Sequence, residues 1–169
     1  MPESFIEVFR CTVPGQPTGK GSVRVATRDR KGNALPFAKR YFPKKTEEWA
    51  DLAAMTFASK RRTEYGGRTL QPDAYAREVV AVMERPKALA PKYDKRTGLP
   101  TPKSPPTTRM RAPCLPDDDN ILKQLDALKA AMVIADDRYF CRTIIDKWYA
   151  AEGEEPHLEV VLYRIEGTP

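Results

Sequence analysis

The sequence contains a run of acids that could bind a divalent cation. Asp117, Asp118 and Asp119 are consecutive and precede a segment with helical periodicity. On an extended or turning backbone, Asp117 and Asp119 project the same way, so their carboxylates could share one cation. Capping and the helix dipole also favour acids before a helix, which is the simpler explanation of a pair. Three acids exceed that need, because like charges repel unless solvent or a cation offsets them.

A second acidic pair, Asp136 and Asp137, follows the helical segment. A continuous helix would place this pair ~25 Å from the first cluster. If the helix ends near Lys129, it spans only ~15 Å, and five extended residues can return ~16 Å along its side. We therefore expect a short helix and one site that contains Asp117, Asp119 and Asp137. The alternative is that a partner subunit donates Asp137.

Lys123 lies one turn into the predicted helix, for which Asp119 or Asn120 is the expected cap. An ammonium group there could contact a scissile phosphate or stabilise the carboxylates, or Lys123 is an ordinary surface lysine. A calcium loop of the EF-hand type is excluded. Leu122 and Leu128 occupy the positions that require Gly and Glu in such a loop.

The charge distribution suggests a polyanionic partner. The chain carries a formal net charge of +6, and residues 85–111 hold eight Lys or Arg with only Asp94 opposing them. A basic surface without such a partner is the alternative. Within this segment Lys103, Arg109 and Arg111 are the predicted DNA contacts.

Residues 15–21 form a glycine-rich segment that is not a P-loop, because its glycine spacing is too short and Gly21 follows Lys20 where Ser or Thr is required. The segment either presents Lys20 and Arg24 to a DNA backbone or is an ordinary surface turn.

Several other classes of protein do not fit the sequence. The three cysteines and the single histidine, His157, lack the paired spacing of zinc sites, so the cysteines are expected to be reduced. The N-terminus lacks the pattern of a signal peptide, and no apolar run approaches membrane-spanning length. We expect a cytoplasmic protein that does not enter a membrane.

The remaining patterns predict the elements that position these residues. Strands are expected over residues 5–13, 23–25, 37–42, 77–84, 139–150 and 158–165. Thr46 is expected to cap a helix that ends at 60–62, and a second helix begins near Asn120. Residues 86–116 contain eight of the 16 prolines, which excludes a regular helix or central strand and suggests a mobile loop.

These elements predict one α+β domain. Its expected architecture is a single mixed β-sheet with helices packed on one face, and a β-hairpin formed by the last two strands.

The acidic motifs resemble those of a known family. The runs Asp117-Asp-Asp-Asn-Ile-Leu-Lys123, Asp126-Ala-Leu128 and Asp136-Asp137 are similar to the D-x-D-N-x-x-K, D-A-L and D-D signature of the RusA-type Holliday junction resolvases. The resemblance covers residues 116–147, with weaker similarity at 15–24. One departure is that Asp126 follows Lys123 by three residues, where relatives usually have four.

The resemblance implies a function for each motif. Asp117, Asp119 and Asp137 would be catalytic metal ligands and Lys123 the essential basic residue, with Asp118, Asn120 and Asp136 in supporting positions. The enzyme would be a Mg²⁺-dependent homodimer, with Mn²⁺ as a substitute, that cuts four-way DNA junctions in bacteria and prophages.

The chemistry of such a site is metal-assisted hydrolysis, in which bound cations activate a water and offset charge on the phosphoryl group. A two-fold symmetric junction requires two equivalent sites, which a C2 homodimer supplies. Two other functions stay open: a metal-dependent nuclease that acts on flaps, nicks or single strands, and a non-catalytic phage or prophage module that only binds DNA.

Overall fold

The structure, a computed structural model, describes residues 4–19, 24–28, 31–41, 44–114 and 116–166. Its strands are β1 (Ser4–Pro14), β2 (Arg24–Arg28), β3 (Ala34–Tyr41), β4 (Tyr75–Met83), β5 (Met110–Arg111), β6 (Phe140–Tyr149) and β7 (His157–Glu166). Its helices are α1 (Lys44–Glu64), α2 (Asp118–Gln124) and α3 (Asp126–Ala130). All six predicted strands and both predicted helical regions are therefore present.

Five strands form one mixed sheet in the order β1-β7-β4-β6-β5. β4 pairs in parallel with β6 and antiparallel with β7, and it lies at the centre because it is apolar on both faces. β2 and β3 form a separate two-stranded antiparallel sheet. The expectation of a single sheet was wrong in this respect, since the pattern of a short strand does not show which partner it pairs with.

The last two strands, β6 and β7, are antiparallel and joined by a short connection, as predicted. They do not pair with each other. β4 lies between them and hydrogen-bonds to both. The connection over residues 150–156 has to span two strand spacings, about 10 Å, which is well within its reach. The direct pairing expected of a hairpin is corrected accordingly.

The core lies between one face of the sheet and the helices, which confirms the predicted α+β class. Trp49, Ala53 and Phe57 are buried at a spacing of four residues along α1, and Phe57 packs edge-on against Phe9 of β1. The predicted cap of α1 was wrong: the helix begins at Lys44, and Thr46 lies inside it with its side chain buried. Boundaries of this kind depend on local backbone geometry more than on residue type.

The proline-rich segment contains no regular helix or central strand within its described residues, as predicted. Its only elements there are a 3₁₀ turn at Lys87–Leu89 and the two-residue edge strand β5. Arg85 donates hydrogen bonds to the carbonyl oxygens of Pro106, Thr108 and Ala150, which ties the segment to the connection between β6 and β7. The mobility of the segment stays a prediction.

Candidate active site

The acidic run forms the start of α2. Asp117 is the last residue with extended backbone, and its carboxylate accepts a hydrogen bond from the Asn120 amide at 3.2 Å. The predicted cap, Asp119 or Asn120, is therefore corrected to Asp117, because both of those residues have already entered the helix. All three carboxylates of the run are exposed.

Each of the other two acids of the run is paired with a lysine. Lys123 is four residues from Asp119 on the same helical face and forms an ion pair with it. Asp118 is paired with Lys147 of β6 at 3.0 Å, so it points toward the sheet edge. The structure thus gives different partners to the two neighbouring acids.

The chain reverses after a short helical segment, as the sequence analysis required. Leu125 breaks the helix into α2 and α3, and α3 ends at Ala130. Met132 adopts a left-handed backbone conformation with φ of 55°, and the Val133 amide donates back to the Leu128 carbonyl. A residue in this conformation ends the helix and turns the chain back toward Asp137.

Asp137 lies in the 3₁₀ turn that follows this reversal of the chain. Its carboxylate forms an ion pair with Lys129 at 3.3 Å, and the lysine holds the pKa of Asp137 below its usual value. Lys129 belongs to α3, after the break at Leu125, whereas Asp117 caps the start of α2. Within residues 4–19, 24–28, 31–41, 44–114 and 116–166, no three Asp, Glu, His or Cys side chains are grouped closely enough to hold a metal ion.

Asp136 has a local role. It caps a 3₁₀ turn, since its carboxylate accepts a hydrogen bond from the Arg138 amide at 3.0 Å. The turn places Asp137 immediately after the cap.

Arg77 of β4 is a charged residue that the sequence analysis did not select. Its Nε donates to the Thr143 hydroxyl at 2.9 Å, and its guanidinium lies 4.7 Å from the centroid of the Phe140 ring. Burial lowers the pKa of Arg77, and the nearby carboxylates of Asp137 and Asp126 oppose that shift. An arginine inside a predominantly apolar central strand was the available signal.

Thr18 and Gly19 of the glycine-rich segment pack against the acidic end of α2. A Cβ atom added at Gly19 would lie 2.4 Å from Pro116 Cβ and 2.8 Å from Asn120 Cβ. The buried Gln124 side chain also lies within 3.5 Å of the Thr18 hydroxyl. Lys20 lies outside the described residues, and Arg24 is described only by its backbone, as the first residue of β2.

The predicted DNA contacts in the proline-rich segment have different environments. Arg109 binds the carboxylates of Glu154 and Glu159 at 2.5 and 3.0 Å, so its charge is offset within the protein. Arg111 pairs with Asp146, and its guanidinium lies 4.0 Å from the centroid of the Trp148 ring. Lys103 is exposed. Through its two ion pairs, Arg109 fixes the proline-rich segment to β7 and to the connection that precedes it.

Lys147 is a second residue that the sequence analysis did not select. Its ammonium donates to the carbonyl oxygens of Cys114 and Pro116 at 3.1 and 3.3 Å, in addition to its ion pair with Asp118. A lysine close to Ile144, Ile145 and Trp148 in β6 was the signal that could have identified it.

The comparisons with known proteins identify the family. The family model described as endodeoxyribonuclease RusA matches residues 14–163, which include every predicted site residue. No curated protein matched the chain. In the part of the chain that the structure describes, no helix is both long and apolar enough to cross a membrane. The chain therefore belongs to the RusA endodeoxyribonuclease family, the enzymes that resolve Holliday junctions.

Proposed function

We propose that this protein is a Mg²⁺-dependent endodeoxyribonuclease that resolves four-way DNA junctions by paired phosphodiester hydrolysis. The observation that carries the proposal is the exposed acidic start of α2, with Asp117 as the cap and Lys123 paired to Asp119. This arrangement lies within the region matched by the family model. Asp117, Asp119 and Asp137 are the proposed metal ligands.

The donors fit such a cation in chemical type. Mg²⁺ and Mn²⁺ both accept carboxylate oxygens, and Mg²⁺ commonly binds through one or two carboxylates together with phosphate oxygens of the substrate. Asp117 uses one oxygen as the helix cap, which leaves its other oxygen available. A bound divalent cation would lower the pKa of a coordinated water and offset charge on the phosphoryl oxygens.

The protein's own residues have separate tasks in this proposal. Lys123 holds Asp119 in place on the helix face and supplies a positive charge near the scissile phosphate. Lys103, Lys20 and Arg24 bind the phosphates of the junction arms, which positions the DNA without reading its sequence. In the reaction, water attacks the scissile phosphorus in line with the bridging oxygen that departs.

The site is completed by a second subunit. In one chain Asp137 is paired with Lys129, at the opposite end of the α2–α3 segment from Asp117. A C2 homodimer brings one subunit's surface against the same surface of the other, so Asp137 of one chain can approach Asp117 and Asp119 of its partner. The same symmetry provides the two active sites that a four-way junction requires.

The first experiment measures cleavage of a synthetic four-way junction with MgCl₂ by Asp119→Asn. This variant should bind the junction with wild-type affinity and lose cleavage by at least about 100-fold, since a metal ligand is needed for hydrolysis while the junction arms are bound through phosphate contacts elsewhere. Glu64→Gln is the matched control, because Glu64 is also an exposed acid in an i,i+4 pair with a lysine. Wild-type cleavage by Asp119→Asn would contradict the metal site, and equal cutting of linear duplex would contradict junction specificity.

The second part of this experiment mixes the inactive Asp119→Asn and Asp137→Asn proteins after joint refolding. If Asp137 acts in trans, each heterodimer has one intact site and one doubly altered site. Random pairing makes half of the dimers heterodimers, so about a quarter of the wild-type number of active sites returns. If all three ligands come from one chain, every site carries a substitution and no activity returns.

A further inference from the structure

Lys147 lies in an unusual position for a lysine. It belongs to β6, pairs with Ala81 of the central strand β4, and its side chain is only 18% exposed. A buried ammonium is costly unless each of its three N–H groups finds an acceptor. Lys147 has three acceptors: the carbonyls of Cys114 and Pro116, and a carboxylate oxygen of Asp118.

These acceptors all belong to the segment that leads into the candidate site. Described residues between β5 and α2 have no regular secondary structure, and the carbonyls of Cys114 and Pro116 accept no hydrogen bond from a backbone amide of a strand or helix. Lys147 supplies donors to both of these carbonyls, and its own backbone carbonyl accepts from the Ala112 amide at 3.1 Å. The Pro116 carbonyl is part of the peptide bond to Asp117, so it fixes the orientation of that residue.

We propose that Lys147 is a positioning residue for the metal-binding acids. It holds the backbone before Asp117 and engages the carboxylate of Asp118, so that Asp117 and Asp119 remain directed to the cation. The inference rests on the proposed function, because it assumes that those two acids are ligands.

The alternative is that Lys147 forms an ordinary ion pair with Asp118. An exposed pair contributes little to stability, and the Asp118 side chain is 55% exposed. That alternative does not explain the two hydrogen bonds from Lys147 to backbone carbonyls. They also predict an effect on the metal site that the loss of a surface ion pair would not produce.

The test is Lys147→Met, which keeps the length and the apolar part of the side chain. Mn²⁺ binding is measured by isothermal titration calorimetry without DNA, and cleavage and binding of a four-way junction are measured separately. Residues that orient metal ligands typically contribute 10–100-fold to metal affinity or activity. We expect a loss of that order in Mn²⁺ affinity and in kcat, with junction affinity measured in EDTA within about threefold of wild type.

Lys60→Met is the matched control, because Lys60 is also a partly exposed lysine in an ion pair, on α1. Lys147→Gln is the second variant, and it decides the matter if Lys147→Met does not fold. It keeps N–H donors without the charge, and its Mn²⁺ affinity should lie between those of the wild type and Lys147→Met.

Two results would overturn the inference. One is wild-type Mn²⁺ affinity and cleavage in a folded Lys147 variant. The other is a loss of cleavage that is matched by an equal loss of junction binding with Mn²⁺ affinity unchanged. Failure of the proposed function is distinguishable, because Asp119→Asn would then also keep its Mn²⁺ affinity and cleave normally.

Discussion

Replacement of Gly19 by alanine should disturb the acidic end of α2. Gly19 has no left-handed backbone conformation, so an alanine there is not strained by its dihedral angles. The strain is steric: the new methyl group would lie 2.4 Å from Pro116 Cβ and 2.8 Å from Asn120 Cβ. Both distances are shorter than carbon atoms tolerate, so either the glycine-rich segment or the start of α2 has to move.

The size of the effect follows from these contacts. Forcing an extra methyl group into a packed position typically costs about 1–3 kcal/mol of unfolding free energy. For a chain of this length, each kcal/mol corresponds to a change of about 2–4 °C in Tm. The expected decrease in Tm is therefore about 2–12 °C. Because Pro116 and Asn120 flank Asp117 and Asp119, the cleavage rate should fall by at least about tenfold below the melting transition.

The assay combines thermal unfolding with single-turnover cleavage of a four-way junction at 25 °C. Gly66→Ala is the matched control: Gly66 follows α1, has a φ of +63°, and has no atom within 4 Å of an added Cβ. That variant should lower Tm through backbone strain and leave the cleavage rate unchanged. If Gly19→Ala retained both the wild-type Tm and the wild-type rate, the packing of Gly19 against α2 would be refuted.

Two further predictions concern the reversal between the acidic clusters. Met132→Gly should raise the unfolding free energy by about 0.5–1 kcal/mol in urea denaturation, because Met132 is 60% exposed and has a φ of 55° that favours glycine; a decrease would contradict this. Lys129→Met should raise the pKa of Asp137 toward its ordinary value in an NMR titration. The stabilisation by this pair is present above the unfolded pKa and is lost as pH falls through the lowered pKa. An unchanged titration of Asp137 would show that Lys129 does not hold it.

Local sequence patterns were sufficient to predict most of the helices and strands. Helical spacing of Trp49, Ala53 and Phe57 identified α1, and the apolar composition of residues 77–84 identified the strand that became β4. These predictions succeeded because periodicity reports which side chains face a core. The prediction that the helix ends near Lys129 is also confirmed, because α3 ends at Ala130.

The sequence did not predict which strands pair with each other. The strand order places β4 between β6 and β7, and no local pattern in those two strands distinguishes this arrangement from a direct hairpin. Lys147 and Arg77 were passed over for the same reason. Their partners are 29 to 66 residues away in sequence. Arg77 meets its partner only after β4 has paired with β6, and Lys147 meets its partners only after β5 has paired with β6.

The sequence by itself determined the acids, their order and their separation, and therefore the kind of chemistry that this protein can perform. It did not determine how those acids are held. The tertiary structure assigned the cap of α2 to Asp117, paired Asp118 with Lys147, and placed Asp137 beside Lys129. The physical reason is that the carboxylate is a property of the residue, whereas its neighbours depend on the residue at which the helix begins and on the packing of distant strands.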